Sequence, residues 1–363
     1  MNTINYKQVT FAREYRKLTQ SELSKAIKGL SQPNLSKFEK GLGYLSDDVL
    51  ARIYDYLGFP KDFFELAISN NIENAHYRRK AGVLKSERNQ IELSNKMIGY
   101  LIDRMNESVE FPSFNFKFID LEDGFTPKSV ARYIRRFLRL DERPVADIIA
   151  MLENNGVFIV ELNEDVEIFD GVSFLTDGGI PVIVINKNFS NDHKRYTIAH
   201  ELGHIIMHLS HDFIFRESRD REKEANEFAG EFLMPEDVIK KDLWGLKLPS
   251  LVDLKQFWLT SMASIVRRAR DLGCIDADKY KYFNIELSRR GYKKEEPIKV
   301  YIDRPVLFKK AYDLHKEELE YSDKELSEAF HIPIDIVNRF FSFDRNVMLT
   351  IKSNNLKNKI ATM

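Results

Sequence analysis

The chain has 363 residues, with 55 Lys and Arg against 56 Asp and Glu, a formal net charge of −1, and one cysteine. That length allows two or three domains with separate cores, and the near-zero charge excludes an overall field drawing the chain to nucleic acid or membrane, so any DNA binding must come from a local patch. The lone Cys274 excludes an internal disulfide, and MNTINYKQVTFARE lacks an apolar signal core, as the chain lacks any apolar run near 18 residues, so a cytoplasmic protein with no membrane partner is expected.

Residues 1–68 read as an all-helical module, with helical segments near 6–17, 20–28, 32–40, 46–57 and 61–68. Thr19 followed by Glu22 is a capping box that opens the second helix. Leu23 and Ala26 are expected to face inward, Gly29 to make the turn, and Ser31 to cap a third helix that buries Leu35 and Phe38 and ends at Gly41. A helix, a short turn and a second helix is the arrangement that lays the second helix in the DNA major groove. The stretch LTQSELSKAIKGLSQPNLSKFEKGLGYLS resembles the helix-turn-helix of the Xre/phage-repressor family. The resemblance implies a double-stranded DNA operator as partner, with Gln32, Asn34, Ser36 and Lys37 on the exposed face of the recognition helix. Gln and Asn suit adenine edges, whereas Ser and Lys suit a base or a phosphate. Gln20, opening the preceding helix, is positioned to fix a phosphate. The competing reading is a small helical bundle that docks on a protein.

A linker over 69–112 follows. Its start, AHYRRKAGVLKSER, is basic enough to extend a phosphate footprint or to form a solvated helix face. A long amphipathic helix then ends near Glu107, with Ile91, Met97, Ile98, Leu101, Ile102 and Met105 on its stripe, and Pro112 breaks the chain. Repressors of the Xre type act as dimers on paired half-sites, so the resemblance is compatible with a homodimer.

Over 113–298 the pattern turns to mixed α and β. SVARYIRRFLRL and VADIIAMLENNG read as helices, VFIVELN as a strand, and GVSFLT and PVIVINK as two strands around the turn DGG. The last strand lies just before TIAHELGHIIMHL, and a sheet edge there would bind an extended peptide by strand addition. In TIAHELGHIIMHL, His200 and His204 are four residues apart, so both imidazoles face one side of a helix and can grip one cation. Glu201 sits one step round, poised to take a proton from water that the cation activates.

A second amphipathic helix, EKEANEFAGEFLMP, begins eighteen residues after His204. A two-histidine site needs a third protein ligand, and Glu222 and Glu224 compete. Glu222 is favoured because its stripe carries the small Ala225, Asn226 and Ala229, while Phe228 and Phe232 beside Glu224 should hold the backbones apart. Asn226 is then positioned to fix a ligand imidazole. His208 lies about 12 Å along the axis from His200, too far to share its ion. His211 would need a sharp turn that no glycine supplies, and both read as surface or outer-shell groups. His193 has no evident partner.

These segments, with LVDLKQFWLTSMASIVRRARDLGCI and LSRRGYKKEEP after them, resemble the ImmA/IrrE family of metallopeptidases across about residues 120–298. Matched residue by residue, the resemblance implies His200, His204 and Glu222 as metal ligands and Glu201 as catalytic base. The ligand set suits Zn2+, with Mn2+ or Fe2+ compatible with the same donors. The implied substrate is a regulatory protein such as a helix-turn-helix repressor. The alternative is a non-cleaving transcription factor whose peptidase-like domain serves as sensor or dimerisation unit. Residues 299–363 read as a helical segment; SDKELSEAFHIPIDIVNRFF resembles a helix-turn-helix but lacks a basic face and reads as structural. The expected fold is therefore multidomain: an all-α N-terminal helix-turn-helix domain, an α+β zincin-like metallopeptidase domain, and a helical C-terminal segment.

Overall fold

A computed structural model describes residues 4–66, 85–162, 169–210, 213 and 219–341. His211 and residues 75–84 of the basic linker stretch lie outside the described residues. The chain divides into two units, one from the stretches Met1–Ala67 and Tyr312–Met363, the other from Ile68–Ala311.

The first unit opens with α1 (Tyr6–Tyr15), α2 (Gln20–Ala26), α3 (Gln32–Glu39), α4 (Asp47–Leu57) and a 3-10 turn at Lys61–Glu65. Thr19 and Glu22 form the reciprocal capping box at α2, and Ser31 Oγ accepts the Asn34 amide at 3.3 Å to open α3. Gly29, at φ +87°, supplies the left-handed turn residue between them. Leu23, Leu35 and Phe38 are buried with Val9, Ala12, Ile53 and Phe63. Ala26 is exposed, contrary to expectation, and Ile27 is buried in its stead. The reason is local: α2 stops at Ala26, and Ile27 takes an extended conformation that turns its side chain to the core.

The second unit begins with α5 (Lys85–Asn106), whose apolar stripe, from Ile91 to Met105, is buried. Then come α6 (Pro127–Phe137), α7 (Ile148–Glu153), β1 (Phe158–Leu162), β2 (Gly171–Leu175), β3 (Pro181–Asn186), α8 (Asn191–His208) and α9 (Arg221–Leu233). Helices α10 (Glu236–Leu243), α11 (Ser250–Trp258), α12 (Met262–Asp271) and α13 (Ala277–Arg289) complete the unit's core. The sheet order is β1-β3-β2, with β1 parallel and β2 antiparallel to β3.

The strand before α8, expected at a sheet edge, is thus the central one. All six residues of β3 are buried, and its apolar run PVIVI, closed by Asn186, is what a strand covered on both faces requires. The edge that packs on α8 is β2.

Helix α8 is the axis of this unit, buried at nearly every position from Asp192 to His208. Its N-terminal half is pinned by polar groups. The fully buried Arg195 donates to the Ala146 carbonyl at 2.8 Å and the Leu259 carbonyl at 3.0 Å. Lys255, also buried, bridges Asp192 and Glu296. Residues beyond 298 remain tied to this unit: Asp303 caps the α7 amides of Ile149 and Ala150 at 3.1 and 2.6 Å, and Glu153 accepts from Val306 and Leu307.

After α14 (Leu307–Glu317), α15 (Asp323–Phe330) and α16 (Ile334–Phe341) belong to the first unit. Asp335 receives a two-pronged bond from Arg16 at 2.6 and 3.2 Å, and Arg339 donates to the Tyr15 hydroxyl at 3.3 Å. Ile336, Val337 and Phe340 are buried, so the apolar face of α16 finds its cover in this unit. No helix among the described residues is long and apolar enough to cross a membrane.

Candidate metal centre

The site is built on two adjoining helices. In α8, the i, i+4 spacing brings His200 and His204 to one face, both almost fully buried. Helix α9 is capped by Asp220, whose carboxylate accepts the Lys223 amide at 3.0 Å. The cap sets Glu222 in the first turn, where the helix dipole favours a negative charge.

The Nε2 atoms of the two histidines are 3.1 Å apart. Glu222 Oε2 is 3.5 Å from His200 Nε2, and Oε1 is 3.3 Å from His204 Nε2. A tetrahedral ion with ligands at 2.0–2.1 Å has ligand–ligand edges of about 3.3–3.4 Å. The three donors therefore stand at the spacing that a small divalent cation requires, and they form the one His/His/Glu group of this kind among the described residues. Burial opposes ionisation of Glu222, but its bonds to His200 and His204 outweigh it and hold the carboxyl far below the usual range. The donor set is anionic and ready for a cation.

Glu201, 3 % exposed, accepts a hydrogen bond from Ser173 Oγ at 2.7 Å. Ser173 belongs to β2, so the edge strand itself holds the carboxylate. Gly171, two residues earlier on the same face of that strand, is the reason that β2 can lie so close. A methyl group there would fall inside contact distance of Thr197 Cγ2 and 3.5 Å from Glu201 Cγ. Thr197 is β-branched and has no flexible end to swing away. Gly171→Ala is therefore expected to push β2 off α8, lowering stability by about 1–3 kcal/mol; urea unfolding of the metal-free protein measures it, and an unchanged midpoint would show that the strand has slack.

Both acidic candidates on α9 face α8. The bulk of Phe228 does not hold the helices apart: it lies over Gly203, where an added Cβ would sit 3.0 Å from its ring. The glycine makes room for the bulk. Glu224 is consequently also near α8, where its Oε2 meets His208 Nε2 at 2.9 Å. His208 in turn faces His204, with the two Nδ1 atoms 2.9 Å apart. Arg219 donates to both Glu224 oxygens at 2.9 and 2.8 Å. Burial opposes ionisation of Glu224, yet the His208 and Arg219 bonds bring its carboxyl to about 2. Burial also pushes His208 below the usual imidazole range, against the pull of Glu224.

Asn226 donates to the Glu222 carbonyl at 2.7 Å and accepts from the Tyr196 hydroxyl at 3.1 Å, tying the two helices together beside the ligands. His193 does have neighbours: it stacks on Phe189 and lies 3.6 Å from Asp170. A cleft of about 1620 Å³ takes in His193, Tyr196, Glu222 and Asn226 and extends to Tyr280 and Tyr292. That exceeds the roughly 300–1,000 Å³ of small-molecule sites and leaves room for a stretch of polypeptide.

Three contacts of the site join positions that local periodicity does not connect: Ser173 with Glu201, His208 with Glu224, and Tyr196 with Asn226. Ser173 left a trace, as a polar residue in an otherwise apolar strand, but its meeting with Glu201 spans 28 positions of chain.

In the N-terminal unit, Gln32, Asn34 and Lys37 are exposed on α3 and Ser36 is half-buried. Gln32 Nε2 donates to Gln20 Oε1 at 2.9 Å, and Gln20 Nε2 donates to Glu39 at 2.7 Å. Arg13 also grips Glu39, at 2.7 and 2.9 Å. Gln20, the first residue of α2, thus bonds to both ends of α3.

Residues 153–270 match the family model described as the IrrE N-terminal-like domain. The match covers β1 through α12 and contains all three candidate ligands and Glu201. No curated protein and no solved structure matches the chain. The central region is thus an IrrE-like metallopeptidase domain, and His200-Glu201-x-x-His204 with Glu222 is an HExxH-type active-site cluster able to coordinate a divalent metal ion.

Proposed function

We propose that the chain is a DNA-binding transcriptional regulator carrying a zinc-dependent, site-specific endopeptidase that cleaves a regulatory protein of the repressor type. The observation that carries the catalytic half is the convergence of His200, His204 and Glu222 at ligand spacing, one residue from a Glu201 that Ser173 holds. Zinc suits two imidazoles and a carboxylate with a fourth position open; when bound, it supplies Lewis acidity toward water and the scissile carbonyl. Glu201 takes the proton of the attacking water and delivers it to the departing amine. The substrate is held as an extended segment that adds to a sheet edge. The volume of the cleft favours a protein segment over a small molecule.

The DNA-binding half rests on α2 and α3, joined by the turn at Gly29, and on the exposed row Gln32, Asn34 and Lys37. Gln32→Ala and Asn34→Ala should weaken a specific site by about 1–3 kcal/mol each while sparing random DNA. Lys37→Ala should weaken both if it holds a phosphate. Random-site selection with the full chain, repeated at rising salt, checks this; affinity should fall steeply with salt. A chain that enriches no sequence at low salt would instead make the N-terminal unit a protein-docking module.

The two halves are tested together by reporter assays on one target promoter. Wild type and Glu201→Gln should regulate it unequally. Equal regulation would favour a non-cleaving sensor.

A further inference from the structure

We infer that Ser173 is a positioning residue for Glu201, its hydroxyl fixing the plane of the carboxylate that takes the proton from water. The inference rests on the reading of Glu201 as general base and adds to it that the sheet, through β2, aims that base.

The direction of the contact is fixed by chemistry. A carboxylate only accepts, so the Ser173 hydroxyl donates to Glu201 Oε2, and 2.7 Å is the length of a charge-assisted O–H···O bond. Ser173 is 2 % exposed and Glu201 3 %, so water has little access to stand in for either group. A hydroxyl buried in the otherwise apolar strand GVSFL is costly unless it is bonded. Its backbone is engaged in the ladder opposite Ile183, and its side chain shares with Gly171 the face of β2 that meets α8.

Helix α8 alone does not aim Glu201. One residue beyond His200, its Cα is turned about 100° from the ligand face, and three rotatable bonds separate that Cα from the carboxylate oxygens. Strand β2 meets the side chain at two levels. A Cβ at Gly171 would lie 3.5 Å from Glu201 Cγ, so the strand passes close to the stem, and two residues on Ser173 holds the tip. The strand has little freedom to slide. It pairs with β3 from Gly171 opposite Ile185 to Leu175 opposite Pro181, and past its end Asp103 of α5 accepts the Gly178 amide at 3.2 Å. The helix therefore sets the position of the base relative to His200 and His204, and the strand sets its angle. A misplacement of about 1 Å at a reacting group can cost about 10²-fold in rate.

The test compares Ser173→Ala, Ser173→Thr and Ser173→Val in the zinc-loaded full chain. The probe is the peptide that wild type cuts fastest from a random-sequence fluorogenic library. Ser173→Ala should lower kcat by about 10²-fold while KM and zinc content stay near wild type, since a residue so buried offers substrate no surface. Thr and Val have the same shape and differ by the hydroxyl, so Ser173→Thr should keep the turnover that Ser173→Val loses, whatever the added methyl costs in packing. In a Glu201→Gln background, Ser173→Ala should lower the residual rate no further, a result that a role in strand packing alone would not give. Spectra of the metal-free wild type supply a readout independent of activity: the Ser173 hydroxyl proton should exchange slowly and correlate with the Glu201 carboxyl carbon. Undiminished kcat in Ser173→Ala, equal turnover in the Thr and Val variants, or the same loss in the Glu201→Gln background overturns the inference. A zinc-loaded wild type that cuts no peptide of the library overturns the peptidase reading itself, so the two failures are distinct.

Discussion

Glu201→Gln should abolish peptide-bond cleavage while leaving metal content and fold intact. The amide occupies the same volume beside Ser173 and still accepts its hydroxyl, so the bond at 2.7 Å has a counterpart in the variant. What the amide cannot do is accept a proton from water. Removing a general base typically lowers rate by about 10²–10⁴-fold, far more than a packing change at a site that retains its shape. Cleavage-rate measurement on one substrate, paired with elemental analysis, separates the two. A variant cleaving within a few-fold of wild type would mean that another group takes the proton.

Substitution of any ligand should remove the metal. In His200→Ala, His204→Ala and Glu222→Ala, two donors remain of three, and the edges of 3.1, 3.3 and 3.5 Å no longer define a closed set. A cation held at about 1,000 times its dissociation constant adds ~4 kcal/mol of stability by mass action. Wild type should therefore lose thermal stability when a chelator is added, and the three variants should be indifferent to chelator. Glu222→Ala should lose its metal outright. Full occupancy in Glu222→Ala would move the third ligand to another carboxylate.

The parts of this molecule that were legible from sequence are those governed by short-range periodicity. His200 and His204 share a face because four residues nearly complete a helical turn, and α1 to α4 start and stop at caps such as Thr19, Ser31 and Gly58 that act within a few residues. Glu222, on the stripe of small residues, stands 3.5 and 3.3 Å from the two imidazoles. Phe228 faces α8 too, because Gly203 yields the space. What could not be read is what depends on distant partners. The apolar run PVIVI suits an edge or the middle of a sheet equally until β1 is paired to it. The sequence of α16 shows an apolar face but does not say which unit covers it; Arg16 and Tyr15 answer that from more than 300 positions away. The reach from His204 to Glu224 combines a local i, i+4 step with a crossing between helices, and only the first was visible.

Capture and cleavage of a protein partner tests the central claim most directly. Full-length Glu201→Gln, loaded with zinc, is used to retain bound proteins, which are then incubated with wild type and resolved by mass spectrometry. The account predicts one partner cut at a single flexible segment by zinc-loaded wild type, and left whole by chelator-stripped wild type and by Glu201→Gln. Partners that zinc-loaded wild type leaves at full length would contradict it.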